Sequence, residues 1–191
     1  MNKIGYYIYN IEEFIRKAVY KIFRESFIKK SLGHCGKYVH IAEKSDIKGN
    51  SNILISDNVA IGPNALLWST RAKIIIKEKV IIGPNLSIIT GNHRTNIVGK
   101  YMADITEAEK NECDDQDVII ESDCWIGANV TILKGVNVAE GCIIAAGGVL
   151  TKSTKPYGIY AGVPAKRISE RFSKYDIEKH RNILYKNKYL Q

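Results

Sequence analysis

Residues 120–151 read IESDCWIGANVTILKGVNVAEGCIIAAGGVLT and repeat one pattern. A large aliphatic residue recurs every six positions: Ile120, Ile126, Ile132, Val138, Ile144 and Leu150. An α-helix has a period of 3.6 residues and a strand has a period of 2, so neither brings every sixth residue to one interior line. A three-sided coil does, with six residues to a side and eighteen to a turn. The period therefore predicts an all-β solenoid, a parallel β-helix with a continuous aliphatic core.

Apolar or small residues also follow four positions after each of these aliphatics: Cys124, Val130, Val136, Cys142 and Gly148. Residues eighteen positions apart should be vertical neighbours, at the spacing of about 4.8 Å between paired strands. The predicted pairs are Ile126 with Ile144, Ile132 with Leu150, and Cys124 with Cys142. We expect the two cysteines to be unreactive, because burial in apolar surroundings raises the pKa of a thiol.

The corners of such a coil need residues that tolerate left-handed backbone dihedrals, and glycine and asparagine do so best. One corner sequence occurs three times, as Ile61-Gly62-Pro63-Asn64, Ile82-Gly83-Pro84-Asn85 and Ile126-Gly127-Ala128-Asn129. The six-residue repeat begins at Val39 and shifts its register by two residues at Ile53-Leu54-Ile55. Its total length predicts about five coils. Trp68-Ser69-Thr70-Arg71 is the favoured position for a loop at a corner.

Residues 94–117 break the repeat completely, and a long interruption inside a compact domain is usually functional. Thr106-Glu107-Ala108-Glu109 has the form of a capping box, which predicts a short helix within the interruption. Because the segment leaves the coil after His93, we expect it to form a flap above that residue. The coil region is predicted to span residues 39–167, with 94–117 as one long inserted loop.

Helical segments are predicted at both ends of the chain. In residues 1–38, apolar side chains share one helical stripe: Ile4, Ile8, Ile11, Ile15, Ala18, Val19 and Ile22. This amphipathic helix either covers the open end of the solenoid or packs on a neighbouring subunit, which we favour, or lies on a membrane through residues 3–24. Residues 168–191 are predicted to hold a C-terminal helix that starts near Ser173.

The charge pattern bounds the partners. The chain of 191 residues has a formal net charge of +8, concentrated in residues 1–30 and 150–191, whereas residues 94–117 are acidic. There is no basic stripe with interleaved aromatic residues, which argues against a nucleic-acid partner. The four cysteines have no CxxC spacing and no secretory signal is seen, which favours a cytoplasmic location. Of the four histidines, only His93 lies at a coil edge beside the interruption, which is too few for a metal site, so we expect no metal.

Three segments resemble the hexapeptide-repeat acyltransferases, and most closely the sugar and xenobiotic O-acetyltransferases. They are residues 83–93 (GPNLSIITGNH), 118–128 (VIIESDCWIGA) and 145–166 (AAGGVLTKSTKPYGIYAGVPAK). The resemblance covers about residues 39–170, and its most specific motif is AGVPAK. It implies a left-handed coil, acetyl-CoA as co-substrate, and a homotrimer with shared active sites.

The resemblance also assigns residues. It implies that His93 is the general base and that Asn85 binds the acceptor or the oxyanion. It places six further residues at the coenzyme: Trp125, Ala128, Ala146, Thr151, Lys152 and Lys166. Histidine suits the base role because its unperturbed pKa lies near neutrality. Several assignments have a structural alternative: His93 as a satisfied polar loop residue, Asn85 as a corner residue, Trp125 as surface packing, and the lysines as a solvated surface.

The predicted reaction is direct transfer of acetyl from coenzyme A to an acceptor hydroxyl, with a sugar or a surface-polysaccharide precursor favoured. An acyl-cysteine route is discounted, because Cys124 and Cys142 fall on packing positions and Cys113 lacks an obvious histidine partner. The alternatives are a non-catalytic β-helix scaffold and an N-acetyltransferase acting on an amino sugar, an amino acid or a xenobiotic.

Overall fold

The computed structural model describes residues 3–188, with backbone only for Lys3 and for residues 185–188. The predicted outer ends of the two terminal segments, residues 1–2 and 189–191, lie outside the described residues. The helices are α1 (Lys3–Val19), a π-helical stretch (Tyr20–Glu25), α2 (Ser26–Ser31) and α3 (Lys174–Lys188).

The body between the helices consists of short strands. They are β1 (His34–Cys35), β2 (His40–Ile41), β3 (Asp46–Lys48), β4 (Ile53–Ile55), β5 (Ala60–Ile61), β6 (Leu66–Trp68), β7 (Ile74–Ile76), β8 (Ile81–Ile82), β9 (Ser87–Ile89), β10 (Val118–Ile120), β11 (Trp125–Ile126), β12 (Thr131–Leu133), β13 (Asn137–Val138), β14 (Ile143–Ile144), β15 (Val149–Leu150), β16 (Gly158–Ala161) and β17 (Lys166–Glu170).

The strands form three sheets. Sheet 1 has the order β1-β4-β7-β10-β13, sheet 2 the order β17-β16-β14-β11-β8-β5-β2, and sheet 3 the order β15-β12-β9-β6-β3. From β1 to β15, consecutive strands join sheets 1, 2 and 3 in turn, so each trio of strands is one coil. All pairs in this range are parallel. This three-sided parallel arrangement is the one that the six-residue period predicts.

The predicted vertical neighbours are confirmed. Ile126 pairs with Ile144 and Ile132 pairs with Leu150. Cys124 and Cys142 are both buried and free, and the backbone N–H of Trp125 donates to the carbonyl of Cys142 at 2.9 Å. Burial raises the pKa of the Cys124 thiol to about 12.

The corners have the predicted left-handed backbone. Asn64, Asn85 and Asn129 have φ angles of 59°, 60° and 57°. The glycine two positions before each asparagine is required for a different reason, because the coils touch there. A Cβ on Gly127 would lie 2.6 Å from the backbone nitrogen of Ala146 in the next coil. Left-handed corners therefore stack directly upon one another.

The register shift at residues 53–55 is a three-residue strand, β4, in which Ile53 and Ile55 both point into the core. The coils here are longer than eighteen residues, since His40 pairs with Ala60 and Ala60 pairs with Ile81. Residues 69–73 form the predicted loop at a corner between sheets 3 and 1.

The interruption lies between β9 and β10 and spans residues 90–117, so it begins four residues earlier than predicted. It contains no strand within its described residues beyond one bridge from Gly91 to Asp115, and it holds three 3₁₀ helices: Met102–Asp104, Glu107–Glu109 and Glu112–Asp114. The capping box at Thr106 is confirmed, and the helix that it begins is a single 3₁₀ turn. His93 is exposed, so the interruption does not enclose it within one chain.

The C-terminal part continues sheet 2 beyond the last regular coil. Strand β16 pairs in parallel with β14, and β17 then turns back antiparallel to β16. Pro156 precedes β16 and Pro164 lies in the turn between the two strands, so neither removes a ladder hydrogen bond. The predicted boundary at residue 167 therefore falls inside β17. Helix α3 begins after Ser173 as predicted, and Ser173 Oγ accepts from the backbone N–H of Asp176 at 3.1 Å.

The N-terminal segment covers the solenoid in a different way from the favoured prediction. Ile28 and Leu32, in and just after α2, pack on the open end of the core. The isoleucine stripe of α1 does not, because Ile4 and Ile11 remain 59–70% exposed, and Ile22 in the π-helical stretch is also exposed. A cover formed by α1 within its own chain is therefore wrong.

Candidate functional site

Two columns of corners hold most of the predicted site residues. The first, named here the 2–3 corner, joins sheet 2 to sheet 3 and contains Asn85, Ala128 and Ala146 in successive coils. Asn85 Nδ2 donates to Asn129 Oδ1 at 2.9 Å, so these side chains form a ladder along the corner. Ala128 accepts from the backbone N–H of Gly147 at 2.8 Å. The backbone N–H and C=O of Ala146 make no hydrogen bond to any residue between 3 and 188, which leaves them available to a ligand.

Trp125 lies on the outer face of sheet 2 just before this corner. Its side chain is 54% exposed and stands in register between Ile81 and Ile143 of the neighbouring strands. Strand alternation explains the position, because Cys124 and Ile126 on either side both point into the core. An exposed indole beside open backbone groups provides an apolar wall for an extended chain-like ligand.

The AGVPAK segment, residues 161–166, packs at the C-terminal end of the 2–3 corner column. The carbonyl of Gly162 accepts from the N–H of Val149 at 3.0 Å, and the N–H of Ala165 donates to the carbonyl of Val149 at 2.8 Å. Lys166 begins β17 opposite Ala161 and is exposed. The segment therefore presents Lys166 at the end of the same column that holds Ala128 and Ala146.

The second column, named here the 3–1 corner, joins sheet 3 to sheet 1. His93 follows β9 there, and Thr151 and Lys152 follow β15. All three are exposed. The His93 ring makes no hydrogen bond within the described part of the chain. The whole outer face of sheet 3 separates this column from the 2–3 corner, a width of roughly 20 Å for six residues at about 3.3 Å each. One chain therefore does not bring His93 and Asn85 together.

The face of sheet 3 carries residues that the sequence analysis did not select. Trp68 lies in register beside Ile89, close to the start of the interruption. Its Nε1 donates to Asp46 Oδ2 at 3.0 Å, and Lys48 Nζ lies 3.7 Å from the ring centroid. An aromatic ring with a polar rim suits a sugar-like acceptor. The available signal was a tryptophan at an outward strand position, where a regular coil does not need one.

Asp115 anchors the interruption and was also missed. It is buried, its Oδ1 accepts from Thr70 Oγ1 at 2.6 Å, and its Oδ2 accepts from Arg71 Nε at 2.7 Å. A Cβ on Gly91 would lie 2.0 Å from Asp115 Oδ1, so only glycine allows this approach. The contact ties the end of the interruption to residues 70–71 and to the strand exit that leads to His93.

The electrostatics of this anchor favour the ionised carboxylate. Burial alone would raise the pKa of Asp115, but hydrogen bonds from Thr70 and Arg71 and the charge of Lys110 outweigh it and lower the pKa. Lys110 Nζ lies 3.8 Å from Oδ2. The interruption is therefore held by an ion pair that persists to a lower pH than an ordinary aspartate would allow.

Other reactive groups lie apart from both columns. Cys113 is exposed within the interruption, and its carbonyl accepts from Lys134 Nζ. Among the described residues, no three histidine, cysteine or acidic side chains come close enough together to hold a metal ion. The structure thus gathers its chemistry-bearing groups at the two corners and the sheet 3 face.

Comparison with known proteins places this arrangement in a family. Residues 117–152 match the family described as hexapeptide repeat of succinyl-transferase. A Saccharomyces cerevisiae protein assigned as an acetyltransferase is 30% identical over 145 residues, which cover 76% of this chain and 69% of that protein. A Lysinibacillus sphaericus protein assigned as a macrolide acetyltransferase is 53% identical over 62 residues, 32% of this chain. That match spans only about a third (34%) of the relative's own length.

Solved structures agree. A maltose O-acetyltransferase from Clostridium difficile superposes with a TM-score of 0.64 and 25% identity, over 78% of this chain and 75% of that one. A galactoside acetyltransferase in complex with coenzyme A superposes with a TM-score of 0.58 and 25% identity, over 78% and 70%. The repeat, the three parallel sheets and these relatives together show that the chain belongs to the hexapeptide-repeat acyltransferase family.

Proposed function

We propose that this chain is an acetyl-CoA-dependent O-acetyltransferase that acts on a hydroxyl of a sugar or a surface-polysaccharide precursor. Family membership supports the acyltransferase activity, and the left hand of the coil is the hand that the family resemblance implies. A galactoside acetyltransferase with bound coenzyme A and a maltose O-acetyltransferase among the structural relatives support the coenzyme and the sugar acceptor.

The main support for a site shared between chains is the distance between the 2–3 corner and the 3–1 corner. The residues assigned to the coenzyme arm lie at the 2–3 corner, whereas His93 lies at the 3–1 corner. A homotrimer solves this problem, because the 2–3 corner of one chain can face the 3–1 corner of the next and close a shared cleft. Each site then uses Trp125, Ala128 and Ala146 from one chain and His93 from its neighbour.

The coenzyme fits this cleft by chemistry. Its pantetheine arm is an extended chain with two amides, which suit the open backbone groups of Ala146 and the small side chain of Ala128. Trp125 supplies the apolar wall. Its pyrophosphate and 3′-phosphate need cations, which Lys166 at one corner and Lys152 at the other provide, with the Thr151 hydroxyl as a further donor.

The reaction in this cleft is a direct transfer. His93 takes the proton from the acceptor hydroxyl, and the oxygen attacks the thioester carbonyl carbon to form a tetrahedral intermediate. The carbon–sulfur bond then breaks, and the coenzyme leaves as the thiol after taking the proton from His93. Asn85 uses one amide N–H for the bond to Asn129, so the second N–H is free to donate to the acceptor or to the oxyanion.

The test is acetyl transfer by the full-length chain, followed as release of coenzyme A. We expect His93→Ala to lower the rate by about 10²–10⁴ without loss of coenzyme affinity or of the circular dichroism spectrum. His34→Ala is the matched control, because His34 is also exposed but sits on β1 at the far end of the solenoid. Retained turnover in His93→Ala removes this residue from the mechanism.

The acceptor is tested with pairs that differ in one group, such as a sugar and its amino-sugar counterpart. Faster transfer to the hydroxyl member supports O-acetylation, whereas faster transfer to the amine member supports N-acetylation. Calorimetry addresses the remaining alternative, since absence of coenzyme A binding indicates a non-catalytic scaffold.

A further inference from the structure

Helix α1 is attached to the body by its polar side. Arg16 of α1 and Tyr20, the first residue of the π-helical stretch that continues it, contact the first coil, and Glu13 pairs with Arg16 within the helix. The Tyr20 hydroxyl lies 3.1 Å from the carbonyl oxygen of Ile41 and 2.9 Å from that of Ala42, and Arg16 is paired with Glu13 and with Glu43. The side of the helix that normally faces solvent is therefore the side that holds it in place.

The opposite side of α1 is apolar and uncovered. Its members are Ile4, Tyr7, Ile8, Ile11, Phe14, Ile15 and Val19, and all are more than half exposed in the single chain. With residues about 100° apart, these side chains cover an arc of roughly 140°. Phe14, at 74% exposed, and Tyr7 widen the isoleucine stripe on one side, and Val19 widens it on the other.

Basic residues run along one edge of this apolar face. Lys17, Lys21 and Arg24 follow one another at i, i+4 and i+7 and are exposed. Lys17 has a long pair with Glu13 at 3.4 Å, and Lys21 and Arg24 have no ion pair with any residue that the structure describes. Residues 1–30 carry seven basic and three acidic side chains. A broad apolar face edged by exposed cations is complementary to an anionic lipid surface.

A second copy of the helix fits these observations less well. The seam between helices of a coiled coil is narrower than this face, so Phe14, Tyr7 and Val19 would stay partly exposed. Copies brought to one axis would also gather their like charges, whereas anionic headgroups attract them. Between residues 3 and 188, no helix combines the length and the apolar character that crossing a membrane requires.

We propose that α1 is a peripheral membrane anchor that lies in the headgroup region of an anionic bilayer. The isoleucine face enters the boundary with the acyl chains, Lys21 and Arg24 contact phosphate groups, and the polar side keeps the solenoid attached. The body of the protein is thereby held at the membrane by the contacts of Arg16 and Tyr20 that fasten this helical segment to the first coil.

The test is flotation of the full-length protein with phosphatidylglycerol–phosphatidylcholine vesicles, compared with vesicles of phosphatidylcholine alone. The wild type should float with the anionic vesicles, and binding should fall as ionic strength rises. Lys21→Gln/Arg24→Gln should weaken it about 30-fold, at about 1 kcal/mol for each basic residue. Ile11→Glu should weaken it at least about 10-fold.

The matched control is Ile183→Glu, which places the same change at an apolar residue of α3 that is 53% exposed. It should bind as the wild type does, and circular dichroism should show all variants folded. Wild-type protein that does not float at low salt overturns the proposal, and so does flotation that Ile11→Glu leaves unchanged. If Ile11→Glu instead lowers the number of associated copies in light scattering while no variant binds vesicles, the face belongs to a second copy. None of these readouts depends on acetyl transfer.

Discussion

The coils from Val118 to Leu150 and the interruption before them are stabilised by different physics. In the coils, every sixth residue from Ile120 to Leu150 is at most 1% exposed, and the pairs repeat by simple stacking. Left-handed backbone recurs with the same period, at Asp123, Asn129, Gly135, Gly141 and Gly147. No ionised group is needed in this core.

Residues 90–117 have almost no apolar core of their own. Their buried members are polar: Thr90 and Asp115. The remaining anchors are ion pairs and caps near the surface, such as Lys100 Nζ to Glu109 at 2.7 Å. The 2–3 corner is therefore supported by apolar stacking, whereas His93 adjoins a segment anchored by the buried carboxylate of Asp115.

The largest expected effect is on the stacking itself. Ile132→Ala should lower the free energy of unfolding by about 2–5 kcal/mol, because it removes buried contacts and leaves a cavity between coils. Denaturant unfolding measures this loss. The adjacent Leu133→Ala is the control, since Leu133 points outward, and it should cost under about 1 kcal/mol. Equal losses for the two variants would contradict the assignment of inside and outside.

Thiol labelling compares the two regions without a mutation. Cys113 lies in the interruption and is exposed, whereas Cys124 is buried with a pKa of about 12. An alkylating reagent at mildly alkaline pH should modify Cys113 at least about 100-fold faster than Cys124, as read by mass spectrometry of the peptides. Comparable rates in the native protein would mean that the coils open as easily as the interruption does.

Asp115→Ala should loosen the interruption and leave the coils intact. The loss of charge-assisted hydrogen bonds to Thr70 and Arg71 should cost about 1–3 kcal/mol locally. Hydrogen exchange in residues 90–117 should accelerate, and acetyl transfer should fall about 10-fold because His93 is less well held. Asp104→Ala, an exposed aspartate in the same segment, should change neither. Unchanged exchange in Asp115→Ala would show that the other surface pairs suffice.

Acid should reproduce a part of that effect. The pKa of Asp115 lies below its ordinary value of 3.8, so its contribution to stability is fully present above about pH 4 and is lost as pH falls through the lower, folded value. Hydrogen-exchange protection factors for residues 90–117 should therefore drop in strong acid before those of residues 118–150. Asp115→Ala should lack this step. A simultaneous loss in both regions would instead indicate global unfolding.

Much of the fold could be predicted from local pattern. The pairing of Ile126 with Ile144 follows from a six-residue period, and the left-handed corners follow from asparagine and glycine at fixed offsets. The 3₁₀ turn after Thr106 follows from its capping box. Strand β17 could not be predicted, because prolines on either side of β16 are equally compatible with an end and with a turn.

Some residues of the candidate site could likewise be selected from the sequence, whereas others could not. The resemblance selected His93, Trp125 and Lys166, but a motif says nothing about which corner of the solenoid each residue occupies. Asp115 and Thr70 are 45 residues apart and obey no period, so their contact has no signature in the sequence. The sequence shows where Trp68 lies in the repeat, but only the stacking of the coils brings Asp46 and Lys48 into contact with its ring.

The sequence alone determined what depends on steric repetition: a three-sided core, its register and its corners. These follow because each coil meets only its neighbours and every sixth residue has the same environment. Only the tertiary structure decided orientation. Arg16 and Tyr20 pair with the first coil, and the isoleucines of α1 face outward. The face of sheet 3 separates His93 from the 2–3 corner. Both outcomes rest on contacts between distant residues, which a local period cannot encode.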